Sequence, residues 1–460
     1  MEGRKNKSNN DFLFNRAKLD INSALIEYNS LYEYYTETKK SLIKKKLALE
    51  EQFNLAIRIS VLLDEIFQEP LETQKQKIEE IKDRQIVEGL KINDIFSSIA
   101  VNKDNSKIAL GYKKTSIDGK SVDPKEGVEK QREVEEFEKI YVKSILSNII
   151  INFESYLEKV LRVLMVNHPE RYLGAKEIKI SDLLSENIDE ILSKTIESEL
   201  TKLLYDTIDT IDLIETKDKI KVNRYTNITK QFKELYYRRN VFVHNSGMVN
   251  QAYLNSVDKE YTKSISIDKE LICDDTYIEY AFIILAKIEF TIYYELVNSL
   301  GDNYSEMFST LGDIGFEFLQ KEKYEIAEHV YLLLSKSQNL ELSEWLMYRI
   351  NYLNALKQQG KIQADDKEIK RLDVSSSESI YKLGKACLEN ENEKVYILLK
   401  RLIDEKRIEK EEITEWPIFI DFRKTDYYDK IKHEYKELFE EMVFTKETVP
   451  EVERNNQEEI

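Results

Sequence analysis

Glycine and proline are scarce in this chain, and their scarcity restricts the folds that are open to it. The 460 residues contain 12 glycines and 5 prolines, so few turns can be built from these two residues. Leu, Ile, Glu and Lys recur at spacings of three and four, which place side chains on one face of an α-helix. The sequence therefore predicts an all-α protein.

Charge and composition exclude several classes of protein. A net charge of −17 excludes a uniformly basic surface for nucleic acid, although a local basic patch remains open. Two cysteines and four scattered histidines do not suit a disulfide scaffold or a zinc site, so we expect no metal and no cofactor. We find no signal peptide and no apolar run of membrane-spanning length, and therefore expect a cytoplasmic protein without membrane contact.

The first 100 residues carry a seven-residue apolar repeat. One seam is apolar throughout, whereas a second seam fails at Thr38, Lys45 and Gln52. Such a pattern predicts long amphipathic helices folded as a coiled-coil-like hairpin over residues 1–100. Glu69-Pro70 interrupts the first helix, and a second helix is predicted from about Leu71 to Ile99. The members of the apolar seam are Phe14, Ile21, Tyr28, Tyr35, Leu42, Leu49, Ala56 and Leu63.

Two further regions follow in the central part of the chain. Residues 101–130 combine glycines, a proline and many polar residues, which predicts a linker or long loop. Residues 131–301 are predicted to form a helical domain. Its first helix, from about Val134 to Asn167, is apolar almost all round at its centre and should therefore lie in a core.

The C-terminal part carries a repeat of about 34 residues. Comparable helix starts at Ile314, Tyr348 and Leu383 lie 34 and 35 residues apart, and the pattern resembles tetratricopeptide repeats. In the first copy, the small residue Gly315 would let two helices approach. We expect residues 302–445 to form a short α-solenoid, followed by an acidic, disordered tail at 446–460.

The stretch Arg238-Arg239-Asn240-Val241-Phe242-Val243-His244-Asn245 contains the most informative motif. Arginine, a polar neighbour and a histidine five positions on form the R-x4-H signature of the HEPN superfamily, which residues 131–301 resemble. Upstream, Glu154 on an apolar helix is similar to the acidic residue on the first helix of that family. The resemblance implies a helical domain that is in many members a ribonuclease, with Arg239, Asn240, His244 and Glu154 in the catalytic site.

Basic residues are concentrated just before this motif. Residues 217–239 hold eight basic and two acidic residues, a local excess of positive charge that would attract phosphates. From this window and its surroundings we predict substrate contacts by Arg224, Lys230, Lys233, Tyr237, Arg238 and Asn245. A tyrosine can stack on a base, although most tyrosines at helical spacing belong to the core.

The chemistry of RNA cleavage suits these residue types. A histidine titrates near neutral pH and can take a proton from a ribose 2′-hydroxyl or give one to the leaving 5′-oxygen. A guanidinium carries a permanent charge that can meet the negative transition state. We expect cleavage to give a 2′,3′-cyclic phosphate and a 5′-hydroxyl.

Helix geometry restricts how one chain can use the motif. Five residues of an α-helix turn through about 500°, so Arg239 and His244 should point about 140° apart, whereas Asn240 and His244 share a face. One chain can grip a phosphate with both groups only if the helix begins between them. Otherwise a second copy must supply the partner groups, and the resemblance to HEPN proteins implies such a homodimer. Gly247, on the same face, would permit close approach of RNA.

Alternatives remain open for each of these residues. His244 beside Val243 and Phe242 could be a buried core histidine, and the basic window could be an ordinary solvated surface. Glu154 on an apolar helix requires a partner, and we favour a local ion pair inside the site.

Two functions are consistent with the sequence. The first is a metal-independent HEPN endoribonuclease acting on tRNA or mRNA, of the toxin–antitoxin or antiphage abortive-infection type. In that case the N-terminal helices or C-terminal repeats would dock a regulatory protein. The second is a non-catalytic helical scaffold that dimerises and binds a protein or RNA.

Overall fold

The computed structural model describes residues 23, 27, 30–48, 73, 76–77, 80, 85–87, 90–91, 96–101, 108–112, 115–117, 120–122, 124–174, 188–204, 206–223, 227–300, 306–337 and 340–439. The chain divides into two compact units, residues 1–295 and 296–460. The boundary lies close to the predicted one between residues 301 and 302. The acidic tail at 446–460, most of the N-terminal seam and Arg224 lie outside the described residues.

Helices dominate the first unit, which also contains three short antiparallel strand pairs. Helix α1 covers residues 30–48. The strands are β1 (Gln85–Val87), β2 (Leu90–Lys91), β3 (Phe96–Val101), β4 (Ile108–Tyr112), β5 (Thr115–Ile117) and β6 (Lys120–Val122). The helices that follow are α2 (Pro124–Asn167), α3 (Pro169–Tyr172), α4 (Ile188–Leu203), α5 (Thr207–Asp218), α6 (Ile228–His244), α7 (Gln251–Ser256), α8 (Lys259–Thr262) and α9 (Asp275–Leu300).

The strand pairs correct the sequence prediction for residues 85–122. We expected helix as far as Ile99 and a linker from 101 to 130, but β1 pairs with β2, β3 with β4 and β5 with β6. In β5–β6, Ile117 lies opposite Lys120, and the sequence between them is Asp-Gly, which is typical of two-residue hairpin turns. Apolar residues at short intervals are consistent with a helix or with a strand, so the Asp-Gly turn signal was more informative than the apolar spacing.

The long helix α2 organises the core of the first unit. It starts with Pro124, a residue favoured in the first turn, and therefore includes the last part of the predicted linker. It ends at Asn167, as predicted. Phe153 and Tyr156 are fully buried, and the Tyr156 hydroxyl donates to the Glu289 carbonyl of α9 at 3.0 Å. The rings of Phe153 and Phe232 lie 4.9 Å apart, which fixes α6 against α2.

The N-terminal helix α1 is held on this core by tyrosines. Tyr32 and Tyr35 are buried, and the Tyr35 hydroxyl donates to Asp275 at 3.1 Å. Tyr35 belongs to the predicted apolar seam, so the seam faces the core at this position. The predicted partner helix of the hairpin lies partly outside the described residues, and its described residues from Gln85 onward form strands and not helix.

The second unit consists of successive helices. They are α10 (Glu306–Gln320), α11 (Tyr324–Leu334), α12 (Leu342–Gln358), α13 (Lys367–Lys370), α14 (Ser379–Leu388), α15 (Asn392–Asp404), α16 (Lys410–Glu415), α17 (Asp426–Glu434) and α18 (Lys436–Phe439), with two short 3₁₀ turns at Pro417–Phe419 and Phe422–Lys424. The three predicted repeat starts, Ile314, Tyr348 and Leu383, lie on α10, α12 and α14 respectively.

Close helix packing in the second unit depends on small residues. A Cβ at Gly315 would lie 2.8 Å from Val330 Cγ1 on α11, a distance too short for a carbon contact, so only glycine fits. The expected role of Gly315 in helix approach is therefore confirmed. A Cβ added at Gly312 would likewise lie 2.8 Å from the Tyr348 ring of α12.

Among the helices that the structure describes, none has both the length and the apolar character that a bilayer span requires.

Candidate functional site

The motif residues all lie on one continuous helix. Helix α6 runs without a break from Ile228 to His244, so it does not begin between Arg239 and His244. At 100° per residue these two side chains therefore leave the helix about 140° apart. The buried face of α6 carries Ile228, Phe232, Leu235 and Phe242. Arg239 leaves the helix on this same side, whereas Asn240 and His244 do not.

Arg239 forms an ion pair with Glu154. One guanidinium nitrogen, Nη2, lies 2.7 Å from Glu154 Oε1, and Thr207 donates its hydroxyl to the same oxygen at 3.1 Å. The local ion pair that we favoured for Glu154 is present. Thr207 was not predicted from the sequence because nothing in the chain links it to the motif. Both charged groups keep part of their surface open to solvent.

One donor of the Arg239 guanidinium has no partner. Its Nε is buried and makes no hydrogen bond. The Arg239 guanidinium also lies over the Tyr236 ring, 5.3 Å from its centroid, and the pKa of Tyr236 is raised by burial and by Asp206. The guanidinium therefore has a fixed position, and one of its donors is left unused.

Arg238 is held inside the domain. Its Nε lies 2.7 Å from Glu234 Oε1, its Nη1 donates to the Ile272 carbonyl, and Tyr253 and Tyr277 also donate to Glu234. Burial disfavours the charged guanidinium, but Tyr277 and Glu234 outweigh this effect and raise the pKa of Arg238. This buried network favours a structural role for Arg238 over the predicted substrate contact.

His244 is exposed to solvent at the last position of α6. The alternative of a core histidine is therefore wrong. Neither the His244 nor the Asn240 side chain makes a hydrogen bond or ion pair with any other residue that the structure describes. Asn240 is half-buried and lies one turn before His244 on the same face. The imidazole is thus accessible to a ligand.

The outward face of α6 carries three of the six predicted substrate-binding residues, Lys230, Lys233 and Tyr237, together with Asn240 and His244. Lys230, Lys233, Tyr237 and Asn240 leave the helix within about 40° of the direction of His244, and all five side chains are at least partly exposed. This face contains no carboxylate, because the only acidic residue of α6, Glu234, points into the domain. Lys230 approaches Asp258 at 3.8 Å. The charge of Lys230 is thus partly met by Asp258, and Lys233 supplies the remaining positive charge that α6 presents on this face.

The segment after α6 has a structural role. Asn245 caps the helix, and its side-chain amide donates to the Met248 carbonyl, which leaves it less suited to the predicted substrate contact. Gly247 has a φ of +89°, and a Cβ there would lie 3.1 Å from the Phe242 ring. Glycine is needed here for the backbone and for packing inside the domain. Our expectation that Gly247 admits RNA is therefore wrong.

Apolar side chains border the Arg239–Glu154 pair. Val243, one turn after Arg239 on α6, is 53% exposed, and Ile151, three residues before Glu154 on α2, is 56% exposed. The apolar sequence of this part of α2 predicted burial all round, so Ile151 was not expected at the surface. Exposed apolar side chains next to a polar site are typical of surfaces that contact another macromolecule.

Within the described residues, no three or more His, Cys, Asp or Glu side chains are grouped as a metal ion would require. Comparison with models of protein families, with curated proteins and with solved structures finds no match to this chain.

Proposed function

We propose that this protein is a metal-independent endoribonuclease of the HEPN type. The observation that carries the proposal is the state of the two key side chains. His244 is exposed and free, whereas Arg239, on the same helix, is held by Glu154 at 2.7 Å. A proton-transfer group that solvent can reach and an oriented permanent cation are the two elements that the reaction needs.

The proposed reaction uses the ribose as its own nucleophile. His244 takes the proton of the 2′-hydroxyl, and the 2′-oxygen attacks the adjacent phosphorus. The bond from phosphorus to the 5′-oxygen breaks, and the leaving oxygen takes a proton from water. The products are a 2′,3′-cyclic phosphate and a 5′-hydroxyl. Arg239 stabilises the charge of the transition state, and Asn240 offers its amide to the phosphate.

Two chains are needed for a complete site of this kind. Because Arg239 and His244 point about 140° apart on one helix, the two groups that act on one phosphate come from different subunits. The outward face of α6 brings Lys230, Lys233 and Tyr237 to the substrate. The exposed apolar pair Val243 and Ile151 suits the contact between the subunits.

The biological role follows by analogy with the HEPN superfamily. We propose that the protein acts on tRNA or mRNA as a toxin or abortive-infection effector, and that a regulatory protein restrains it through the N-terminal helices or the C-terminal repeats. A net charge of −17 would repel nucleic acid from the rest of the surface.

Cleavage of purified RNA tests the enzyme. The full chain is incubated with tRNA and with total RNA in the presence of EDTA, beside the variants Arg239→Ala and His244→Ala. We expect the parent chain to yield 2′,3′-cyclic phosphate ends and each variant to lose a factor of about 10²–10⁴ in rate. His433→Ala is the matched control, because His433 is an exposed histidine of the second unit. Equal cleavage by parent and His244→Ala would reject the proposal.

The alternative is a non-catalytic helical scaffold that dimerises and binds a protein or RNA. One observation favours it: the charge of Arg239 is already met by Glu154, so the guanidinium also has a purely structural explanation. In this case no RNA would be cleaved, and both variants would bind partners as the parent does.

A further inference from the structure

The second unit contains an apolar cavity that the proposed nuclease does not use. It has a volume of about 170 Å³ and is lined by residues of the helices α10, α12 and α14 and by Trp416, Ile418 and Phe419. Phe316 comes from α10, Ile350 from α12, Leu383 from α14, and Trp416 and Ile418 close one side. The volume suits one or two bulky apolar side chains.

Packing keeps the walls of this cavity in place. A Cβ at Gly384 would lie 3.1 Å from Ile350 Cδ1, so α14 and α12 are in close contact beside the opening. Met347 is 45% exposed although it belongs to the lining. Its side chain therefore stands at the mouth, where an incoming group would bury it.

Carboxylates surround one end of the cavity in a regular arrangement. Asp313, Glu344 and Glu378 each come three residues before a lining residue, respectively Phe316, Met347 and Tyr381. Three residues advance a helix by about 4.5 Å, so each carboxylate lies one turn from the apolar surface. All three are exposed.

The tyrosines between these helices show that the carboxylates lie near one another. Burial, Glu344 and Asp313 together raise the pKa of Tyr348 to about 12. Burial, Glu378 and Glu344 raise the pKa of Tyr381 in the same way. Arg407 pairs with Glu378, whereas the Asp313 carboxylate makes no hydrogen bond or ion pair with any residue that the structure describes. The rim is therefore acidic.

We propose that this cavity binds a peptide segment of another protein, in which a bulky apolar side chain is flanked by lysine or arginine. The apolar walls take the side chain, and the carboxylates at one end attract the basic flank. The same carboxylates repel RNA, so this surface and the outward face of α6 differ in the charge of the ligands that they attract. Peptide binding here does not depend on the nuclease proposal, because every residue used belongs to the second unit.

Fluorescence anisotropy with three labelled peptides tests the proposal on the full chain. The probe is Ser-Gly-Lys-Arg-Gly-Leu-Phe-Gly-Ser-Gly. One control replaces Lys-Arg with Glu-Asp, and the other replaces Leu-Phe with Ser-Ser. We expect the probe to bind at least about tenfold more tightly than either control, and its affinity to fall as salt is raised.

Matched variants locate the binding to the cavity. Met347→Arg should weaken the probe at least about tenfold, because it places a cation at the mouth, whereas Ile397→Arg, at another exposed apolar position, should have no effect. Asp313→Lys should weaken binding and Asp365→Lys, an exposed carboxylate elsewhere on the unit, should not.

Three results would overturn the proposal. The first is that all three peptides bind alike or fail to bind. The second is that Met347→Arg leaves binding of the probe unchanged. The third is that Met347→Arg dissociates an oligomer of the full chain, since the cavity would then be covered by a second copy.

Discussion

Arg238 and Arg239 are adjacent in the chain but have different surroundings. Arg238 is 13% exposed and its partner Glu234 only 3%, whereas Arg239 is 17% exposed and Glu154 35%. A buried pair that loses one partner leaves an uncompensated charge, whereas a partly exposed pair is solvated when it is broken. Residue type and sequence position do not distinguish the two arginines, but the burial of their carboxylate partners does.

This difference predicts unequal consequences of substitution. Arg238→Ala should lower the free energy of unfolding by about 3–5 kcal/mol, because Glu234 is left buried without its cation. Arg239→Ala should lower it by about 1 kcal/mol or less, while removing most of the cleavage activity. Urea unfolding followed by circular dichroism measures both free energies. Equal destabilisation by the two substitutions would contradict the distinction.

Glu154 should act through the position that it gives Arg239. Glu154→Gln keeps the shape of the side chain but removes its charge, so the guanidinium is less firmly oriented. We expect the cleavage rate to fall by about 10- to 100-fold, with a small change in thermal stability. Glu158→Gln is the control, since Glu158 pairs with Arg162 one turn further along α2, at 2.9 Å. A loss that is the same for both variants would show that Glu154 has no special relation to the site.

Glu289 is a carboxyl in the core of the first unit. It is 1% exposed, and both of its oxygens lack a hydrogen-bond partner. Burial raises the pKa of Glu289 well above its usual range, an effect that the charge of Lys159 opposes. The folded chain therefore keeps this carboxyl protonated under conditions in which the unfolded chain ionises it.

The resulting pH dependence can be measured with Glu289→Met. The unfolded carboxyl ionises near pH 4.3. The contribution of Glu289 to the free energy of unfolding is therefore greatest below that pH and falls as pH rises towards the folded pKa, by up to about 1.4 kcal/mol per pH unit. Methionine removes this loss. The gain in melting temperature over the parent should be small at pH 5 and larger at pH 8. A gain that does not change with pH would show that the carboxyl does not titrate on unfolding.

At the level of elements, the end of helix α6 is set by Gly247. Gly247→Ala should cost about 2–3 kcal/mol in free energy of unfolding, because both a left-handed backbone and the Phe242 ring oppose a Cβ. Gly174 has a φ of +61°, but a Cβ added there would meet no atom within 4 Å. Gly174→Ala should therefore cost only about 1 kcal/mol. Urea denaturation measures the free energy of unfolding of both variants. An equal loss in the two would rule out a steric contribution from Phe242.

Much of the helical architecture was predictable, whereas the strand pairs were not. Helix α2 ends at Asn167 as predicted, because the proline that follows disfavours further helix. The residues of β1 to β3 were predicted mainly as helix because their apolar spacing suits either element, and those of β4 to β6 as a loop because of their glycines, proline and polar residues. Only pairing between strands decides such cases, and Asp118-Gly119 is the single strong local signal for it.

The candidate site was predictable only in part, for a related reason. The spacing of Asn240 and His244 places them on one face of any α-helix, so their relation follows from the sequence. Which polar groups face inward depends on contacts between distant segments, such as that of Arg239 with Glu154 and that of Glu234 with Tyr277. The position of Ile151 on the surface depends on the same tertiary packing.

At the level of the whole molecule, the division of labour between two chains can be tested by complementation. Arg239→Ala and His244→Ala chains are each expected to be inactive. When they are mixed and allowed to exchange, half of the dimers contain one chain of each kind. If each site takes Arg239 from one chain and His244 from the other, each mixed dimer has one intact and one doubly defective site. We therefore expect about a quarter of the parent activity to return.

Mixing either variant with the double variant Arg239→Ala/His244→Ala is the control and should restore nothing. Failure of the two single variants to complement, in a mixture shown to exchange subunits, would place both groups of each site in one chain.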